Sequence, residues 1–170
     1  MLGLLKSTFQ TRDQNIWKKL YICYVRPQIE FAVPCWSPYA KKDINTLEKV
    51  QQRGTKIANA LKNLNYRLRC NKLQLTTLSK RRLRGDLIQF FKIENGIEKI
   101  NWYFPLTKSE PRSGHNGQFR REIVRFCNQR HEFFSNRTAN IWNKLPNEIK
   151  SAKNLNLFKN GLDKYLDKLL

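Results

Sequence analysis

The chain has 170 residues, and 33 Lys and Arg against 13 Asp and Glu give it a net charge of +20. That length predicts one domain or two small ones, and a basic excess spread along the whole chain points to an anionic partner, most commonly nucleic acid. The spread argues against a disordered basic arm and against a compact membrane-surface cluster. Four scattered cysteines argue against a disulfide scaffold, and no apolar run approaches the length of a membrane span.

Leu2 to Phe9 reads as the end of a helix. MLGLLKSTFQTR has neither a long apolar core nor a small-residue cleavage site, so no signal peptide is expected and the chain reads as opening in mid-domain. Asp13 is expected to N-cap a helix whose stripe is Ile16, Leu20 and Tyr24, with Trp17 and Tyr21 beside it. Arg26-Pro27 is expected to interrupt it, and Pro27 suits the first turn of a new helix over Gln28 to Val33. Pro34 and Pro38 bracket Trp36 in a turn-rich corner. Asp43 to about Leu64 carries the longest periodic run: Ile44, Leu47, Val50, Gly54, Ile57, Ala58, Leu61 and Leu64 share a broad face. Gly54 and Ala58 would allow close helix packing there. Asn65 to Gln74 reads as a basic connector.

Thr77 to Gly96 (TLSKRRLRGDLIQFFKIENG) reads as one helix, with Thr77 as N-cap and Gly96 as terminator. Leu83, Leu87, Phe90 and Phe91 form its apolar stripe. Arg81 and Lys92 project roughly opposite, with Arg82 and Arg84 on the flanks, so one face calls for a core and the other for a polyanion. Gly85 weakens such a helix by about 1 kcal/mol relative to Ala, and its use would be close approach to the backbone.

Trp102 to Phe104 reads as a hydrophobic plug, and Pro105 to Gly117 as a mobile, exposed polar loop. Phe119 to Phe126 is open between strand and short helix, with one short hairpin near 117–127 as the β option. Ser135 is expected to cap a helix through Trp142 that ends at Leu145-Pro146, followed by a single turn over Pro146 to Ile149. A last helix over about 154–169 carries Leu155, Phe158, Leu162, Tyr165, Leu166 and Leu169. The fold expected is therefore mostly α: a multi-helix bundle divided as 1–104, a 105–117 loop, and a helical extension over 118–170.

Few residues point to catalysis. His115, Cys127 and His131 lie near one another in sequence, but zinc sites use closely paired ligands and none is present, so no metal and no cofactor is expected. The carboxylates are isolated, with no adjacent Asp-Asp pair after an apolar strand, no glycine-rich phosphate loop and no GxSxG elbow. Basic and aromatic residues interleave at Tyr66–Arg69, at Lys80–Lys92, and at Arg120–Arg137 with Phe126, Phe133 and Phe134. These make Arg67, Arg69 and Lys80 candidate phosphate contacts, with most of the aromatics in the core. No base-reading signature is present, so binding would be backbone-directed.

Several stretches together resemble a known family. They are YVRPQIEFAVPCWSPY (24–39), LEKVQQRGTKI (47–57), LQLTTLSKRRLRGDLIQFFKI (73–93) and FFSNRTANIWNKLPNEIKSAKNLNLFKNGLDKYL (133–166). In that order they resemble the segment after the polymerase core in reverse transcriptases of jockey-like non-LTR retrotransposons. The resemblance covers nearly the whole chain. It implies a helical thumb and post-thumb extension that holds an RNA/DNA template–primer by its backbone. It further implies phosphate contacts from Arg53, Lys56, Arg81, Arg82, Arg84, Arg120 and Arg121, and upstream polymerase domains as partners. The metal-binding Asp-Asp of such polymerases lies outside these residues, so the chain is expected to be non-catalytic on its own. The alternatives are a protein-interaction or structural module, or a non-functional retrotransposon remnant. A reducing nuclear or cytoplasmic compartment is expected.

Overall fold

The computed structural model describes residues 1–101, 106–109 and 117–169, with the side chain of Leu169 excepted. The described residues are mostly α-helical, as expected, and divide into two compact units, Met1–Arg82 and Leu83–Leu170. The expected division lay in the 105–117 loop; the dividing point instead falls inside a helix. The plug over Trp102–Phe104 and the loop residues 105 and 110–116 lie outside the described residues.

The first unit begins with α1 (Leu2–Thr8) and α2 (Gln14–Leu20). Asp13 caps α2 as expected, accepting from the amides of Asn15 and Ile16 at 2.9 and 3.0 Å. The expected interruption at Arg26-Pro27 does not occur. A π-helical turn over Tyr21–Val25 joins α2 to α3 (Arg26–Glu30) without leaving the helical region. Proline has no amide to donate and its ring crowds the carbonyl four residues back. In the wider turn the Arg26 amide reaches back five residues to the Tyr21 carbonyl, which fits the helix around that ring. α3 stops at Glu30 rather than Val33, because Phe31 is extended and Ala32 has φ +48°.

The buried stripe of this rod is Trp17, Tyr21, Val25 and Ile29, one position on from the expected Ile16, Leu20 and Tyr24; Ile16 and Tyr24 are exposed. Both stripes are apolar, so hydrophobicity alone could not choose between them. Polar partners favour the observed one: the Trp17 indole donates to the Gly54 carbonyl at 2.7 Å, and the Tyr21 hydroxyl donates to Gln51 at 3.0 Å.

α4 (Lys41–Thr55) ends earlier than its periodic run suggested, and a 3-10 turn over Asn59–Leu61 follows. Ala58 and Leu61 are still fully buried, so the expected face continues beyond the helix. Gly54 permits close packing: a Cβ there would lie 3.0 Å from two ring carbons of Tyr21, which would have to give by a few tenths of an ångström. The expected basic connector is mostly a helix, α5 (Tyr66–Leu73). Asn65 caps it by accepting from the Leu68 amide at 2.9 Å, and Gln74 closes it in the left-handed conformation.

A buried polar network holds α4 to α5 and to the chain that follows. The Gln51 amide accepts from Tyr21 and donates to the Tyr66 hydroxyl at 2.8 Å and the Thr76 carbonyl at 3.0 Å. Tyr66 donates onward to Glu48, whose other oxygen accepts from the Leu78 amide at 3.1 Å. Burial first, and then Glu48 nearby, pushes the Tyr66 hydroxyl above its ordinary value, and burial does the same for Tyr21. Cys70 lies buried beside this network, and burial pushes its thiol upward.

α6 (Leu78–Glu94) begins and ends as the sequence indicates. Thr77 caps it through the Lys80 amide at 3.3 Å. At its end Gly96 has φ +67°, its amide reaches Ile93 at 3.1 Å and the Ile97 amide reaches Lys92 at 2.9 Å, a Schellman closure.

In the second unit Leu87, Phe90 and Phe91 of α6 meet α8 (Phe134–Lys144) and α10 (Leu155–Leu169) in an aromatic core. Phe91 stacks on Phe158 at 4.2 Å, and Phe90 meets Phe119 edge-on at 5.0 Å and Trp142 at 4.8 Å. Phe158, Leu162 and Leu166 are buried as expected. The expected cap at Ser135 is not formed: α8 starts at Phe134, and Ser135 is buried within it. Short helices α7 (Asn128–His131) and α9 (Asn147–Lys150) flank α8.

Phe119–Phe126 is neither helix nor named strand. Lys108 and Phe119 form an isolated antiparallel bridge, so the pairing that occurs reaches back to 107–109 instead of forming a hairpin within 117–127. Two asparagines of α8 take the place of a partner strand. Asn143 exchanges two bonds with the Phe119 backbone at 2.9 and 3.0 Å, and Asn136 accepts from the Glu122 amide at 2.8 Å. Seven residues apart, they lie on one face of the helix.

Candidate nucleic-acid interface

The arginines of α6 were expected to face a polyanion, and the structure gives them intramolecular partners instead. Arg81 makes a two-pronged ion pair with Glu30. Arg84 does the same with Asp163, at 2.5 and 2.9 Å. Lys92 pairs with Glu98 at 2.7 Å. Arg82 is only 7% exposed, donates to the Ile29 carbonyl at 3.1 Å, and lies over the Trp36 ring at 4.6 Å. Burial would raise the Glu30 carboxyl; the guanidinium groups of Arg81 and Arg26 outweigh it and hold it below its ordinary range.

Arg69 is likewise withdrawn from solvent, at 3% exposed. Its guanidinium donates to Thr55 at 3.1 Å and to the carbonyls of Gln52 and Leu64, satisfying the free carbonyl end of α4. Arg82 is therefore held as a structural arginine, and Arg69 reaches solvent only at the edge of a small hollow beside Arg53 and Lys56.

Arg53, Lys56, Arg67 and Arg120 are exposed, and Lys80 is half-buried. Arg121 is half-buried and bonds His131 at 2.8 Å. The other ring nitrogen of His131 faces Glu132 at 2.8 Å. His115 lies outside the described residues, among which no group of three His, Cys, Asp or Glu is placed to hold a metal ion.

Arg53 and Lys56 come together with residues that sequence reasoning did not select. A cleft of about 610 Å³ opens between α1, the end of α4 and the 3-10 turn. Lys6, Arg12, Arg53, Lys56 and Lys62 line it, with Leu2 and Ile57, and no carboxylate is among its lining residues. A smaller hollow of about 160 Å³ adjoins through the shared Arg53 and Lys56 and adds Lys49 and Arg69. Lys49, Arg53 and Lys56 follow i, i+4, i+7 spacing, which places them on one face.

Backbone contacts fix this shape. Arg12 donates to the carbonyls of Lys6 and Thr11, both at 2.9 Å, and to that of Phe9, closing the end of α1. The Asn59 amide reaches the Arg12 carbonyl at 3.4 Å, fastening the 3-10 turn to the same point. The carbonyl ends of α1 and α4 favour one cation each, by about 0.3–1 kcal/mol. They do not account for five cations without a counter-charge.

The first unit has 17 Lys and Arg against four Asp and Glu, a net +13. Three of its four carboxylates are committed elsewhere: Asp13 caps α2, Glu30 binds Arg81 and Arg26, and Glu48 binds Tyr66 and the Leu78 amide. Asp43 sits in the first turn of α4, far along the chain from Arg53. The cleft is thus a positive hollow whose five cations sit among the apolar side chains of Leu2 and Ile57. Among the described residues, no helix is long and apolar enough to cross a membrane. No protein-family model, no curated protein and no solved structure matches this chain.

Proposed function

We propose that this chain is a non-catalytic, nucleic-acid-binding part of a retrotransposon reverse transcriptase of the jockey-like kind it resembles. In this reading it holds the RNA/DNA template–primer by phosphates and works with upstream polymerase domains that supply the chemistry. The observation that carries it is the cleft of Lys6, Arg12, Arg53, Lys56 and Lys62 without a lining carboxylate.

The test is fluorescence anisotropy of the full chain with an RNA/DNA hybrid. Four phosphate contacts predict that affinity falls about a hundredfold between roughly 50 and 200 mM salt. Reversal of Lys6, Arg53, Lys56 and Lys62 to Glu should abolish most binding and flatten that slope. Affinity no better than that of a neutral protein of similar size would overturn the proposal.

A protein-interaction module is the second reading, favoured by the exposed apolar side chains of Ile16 and Tyr24 on α2 and its π-helical continuation. Under it, the same charge reversal leaves hybrid binding unchanged, whereas Ile16→Ser with Tyr24→Ser disrupts a protein complex.

A further inference from the structure

The segment after the Lys108–Phe119 bridge carries a feature that neither core explains. Asn143 and Asn136 fasten its backbone at Phe119 and Glu122. Phe126, at its end, is fully exposed and has φ +62°. Bulky side chains rarely adopt that backbone region, and such conformations are costly unless the surroundings or a function demand them. Phe126 is outside the apolar cluster of this unit, so packing does not demand it.

Its neighbours indicate the partner. Arg120 and Arg125 are exposed and make no ion pair among the described residues. Arg130, by contrast, is occupied by Glu122 at 2.7 Å and lies over the Phe133 ring at 5.3 Å. An exposed ring with cations along the same segment is an arrangement by which proteins hold unpaired nucleotides: the ring stacks on a base and the cations meet phosphates along the strand. A lipid surface would require a longer amphipathic element than Ile123 and Phe126 provide.

We propose that Phe126 is a stacking platform for an unpaired base, with Arg120 and Arg125 as phosphate contacts. The second unit then takes single-stranded nucleic acid, separately from the cleft. This inference shares with the reading above the premise that the polyanion is nucleic acid; its residues are different.

The experiment compares three hybrid probes on the full chain, with the free tail strand and phosphatidylserine vesicles measured alongside: a blunt RNA/DNA hybrid, the same hybrid with a single-stranded DNA tail of about ten nucleotides, and one whose tail is abasic. The base-bearing tail should tighten binding at least about fivefold, and the abasic tail should not. Phe126→Asn, which suits the left-handed backbone, should remove the gain without affecting blunt hybrid, and Phe126→Tyr should restore it. Equal affinity for all three probes would overturn the stacking role and leave the cleft reading intact. Phe126-dependent binding of the free tail strand without binding of blunt hybrid would end the cleft reading and keep this one. Phe126-dependent capture of phosphatidylserine vesicles without a tail effect would overturn the inference in favour of a membrane.

Discussion

The two units solve the problem of basic excess differently. Met1–Arg82 carries +13, commits most of its few carboxylates to caps and internal pairs, and sets the polar side chain of Gln51 within an otherwise apolar interior. Leu83–Leu170 has 16 Lys and Arg against nine Asp and Glu, a net +7, and its interior is aromatic, with one enclosed ion pair between Asp86 and Arg137. In the first unit Glu30 takes both Arg26 and Arg81, and backbone carbonyls hold Arg12, Arg69 and Arg82. In the second unit Arg84, Arg130 and Arg137 pair with Asp163, Glu122 and Asp86. The first arrangement leaves net charge outside for a partner; the second cancels much of it at home.

The largest expected effect is in the second unit. Asp86 binds Arg137 through two bonds of 2.9 Å, with both side chains largely enclosed. Asp86→Ala should cost about 3–5 kcal/mol by stranding the guanidinium, measured by urea denaturation. Replacing both residues with Leu should recover most of that loss; failure to do so would mean that the pair is needed for more than mutual neutralisation.

Gln51→Leu is the matching change in the first unit. It strands the Tyr21 hydroxyl and the Thr76 carbonyl, and a loss of about 2–3 kcal/mol is expected. Hydrogen exchange should show amides of α4 and α5 opening first. Opening first in α8 or α10 would break the distinction between the two interiors.

A smaller effect depends on acidity. The Glu30 carboxyl is lowered in the folded state, so its contribution is complete above the ordinary value of 4.5 and is lost as pH falls below that through the folded value. Glu30→Gln should flatten the urea midpoint over that acid range and leave its pH dependence above pH 6 unchanged.

The smallest effect is a gain. No atom lies within 4 Å of a Cβ placed at Gly85, so Gly85→Ala should stabilise the chain by about 0.5–1 kcal/mol. If the variant is more stable yet weaker in hybrid binding, a ligand approaches the α6 backbone there.

The helices were legible where caps and stripes coincide. α6 was readable from Thr77, Gly96 and its four apolar positions, and α10 from Phe158, Leu162 and Leu166. α2 was misphased by one residue because Ile16 and Trp17 both begin apolar stripes, and the choice rests on Gly54 and Gln51, 37 and 30 positions from their partners Trp17 and Tyr21. α5 was hidden by its basic composition, although Asn65 is a recognisable cap. The roles of individual arginines were least legible. Arg67 and Arg69 are two positions apart, roughly 200° around one helix, so one faces solvent and the other the end of α4. The cleft was not legible at all as a site: Lys6, Arg12 and Lys62 are joined to Arg53 and Lys56 only by tertiary contact.

Cys70 gives the first unit a chemical clock. Cys23, Cys35 and Cys127 are exposed, whereas Cys70 is buried with its sulfur 3.9 Å from the Gln51 amide nitrogen. An alkylating reagent at neutral pH should therefore modify three thiols quickly and the fourth only when that interior opens. At reagent concentrations where alkylation outpaces reclosing the delay reads the lifetime of the closed state, and at lower concentrations it reads the open fraction.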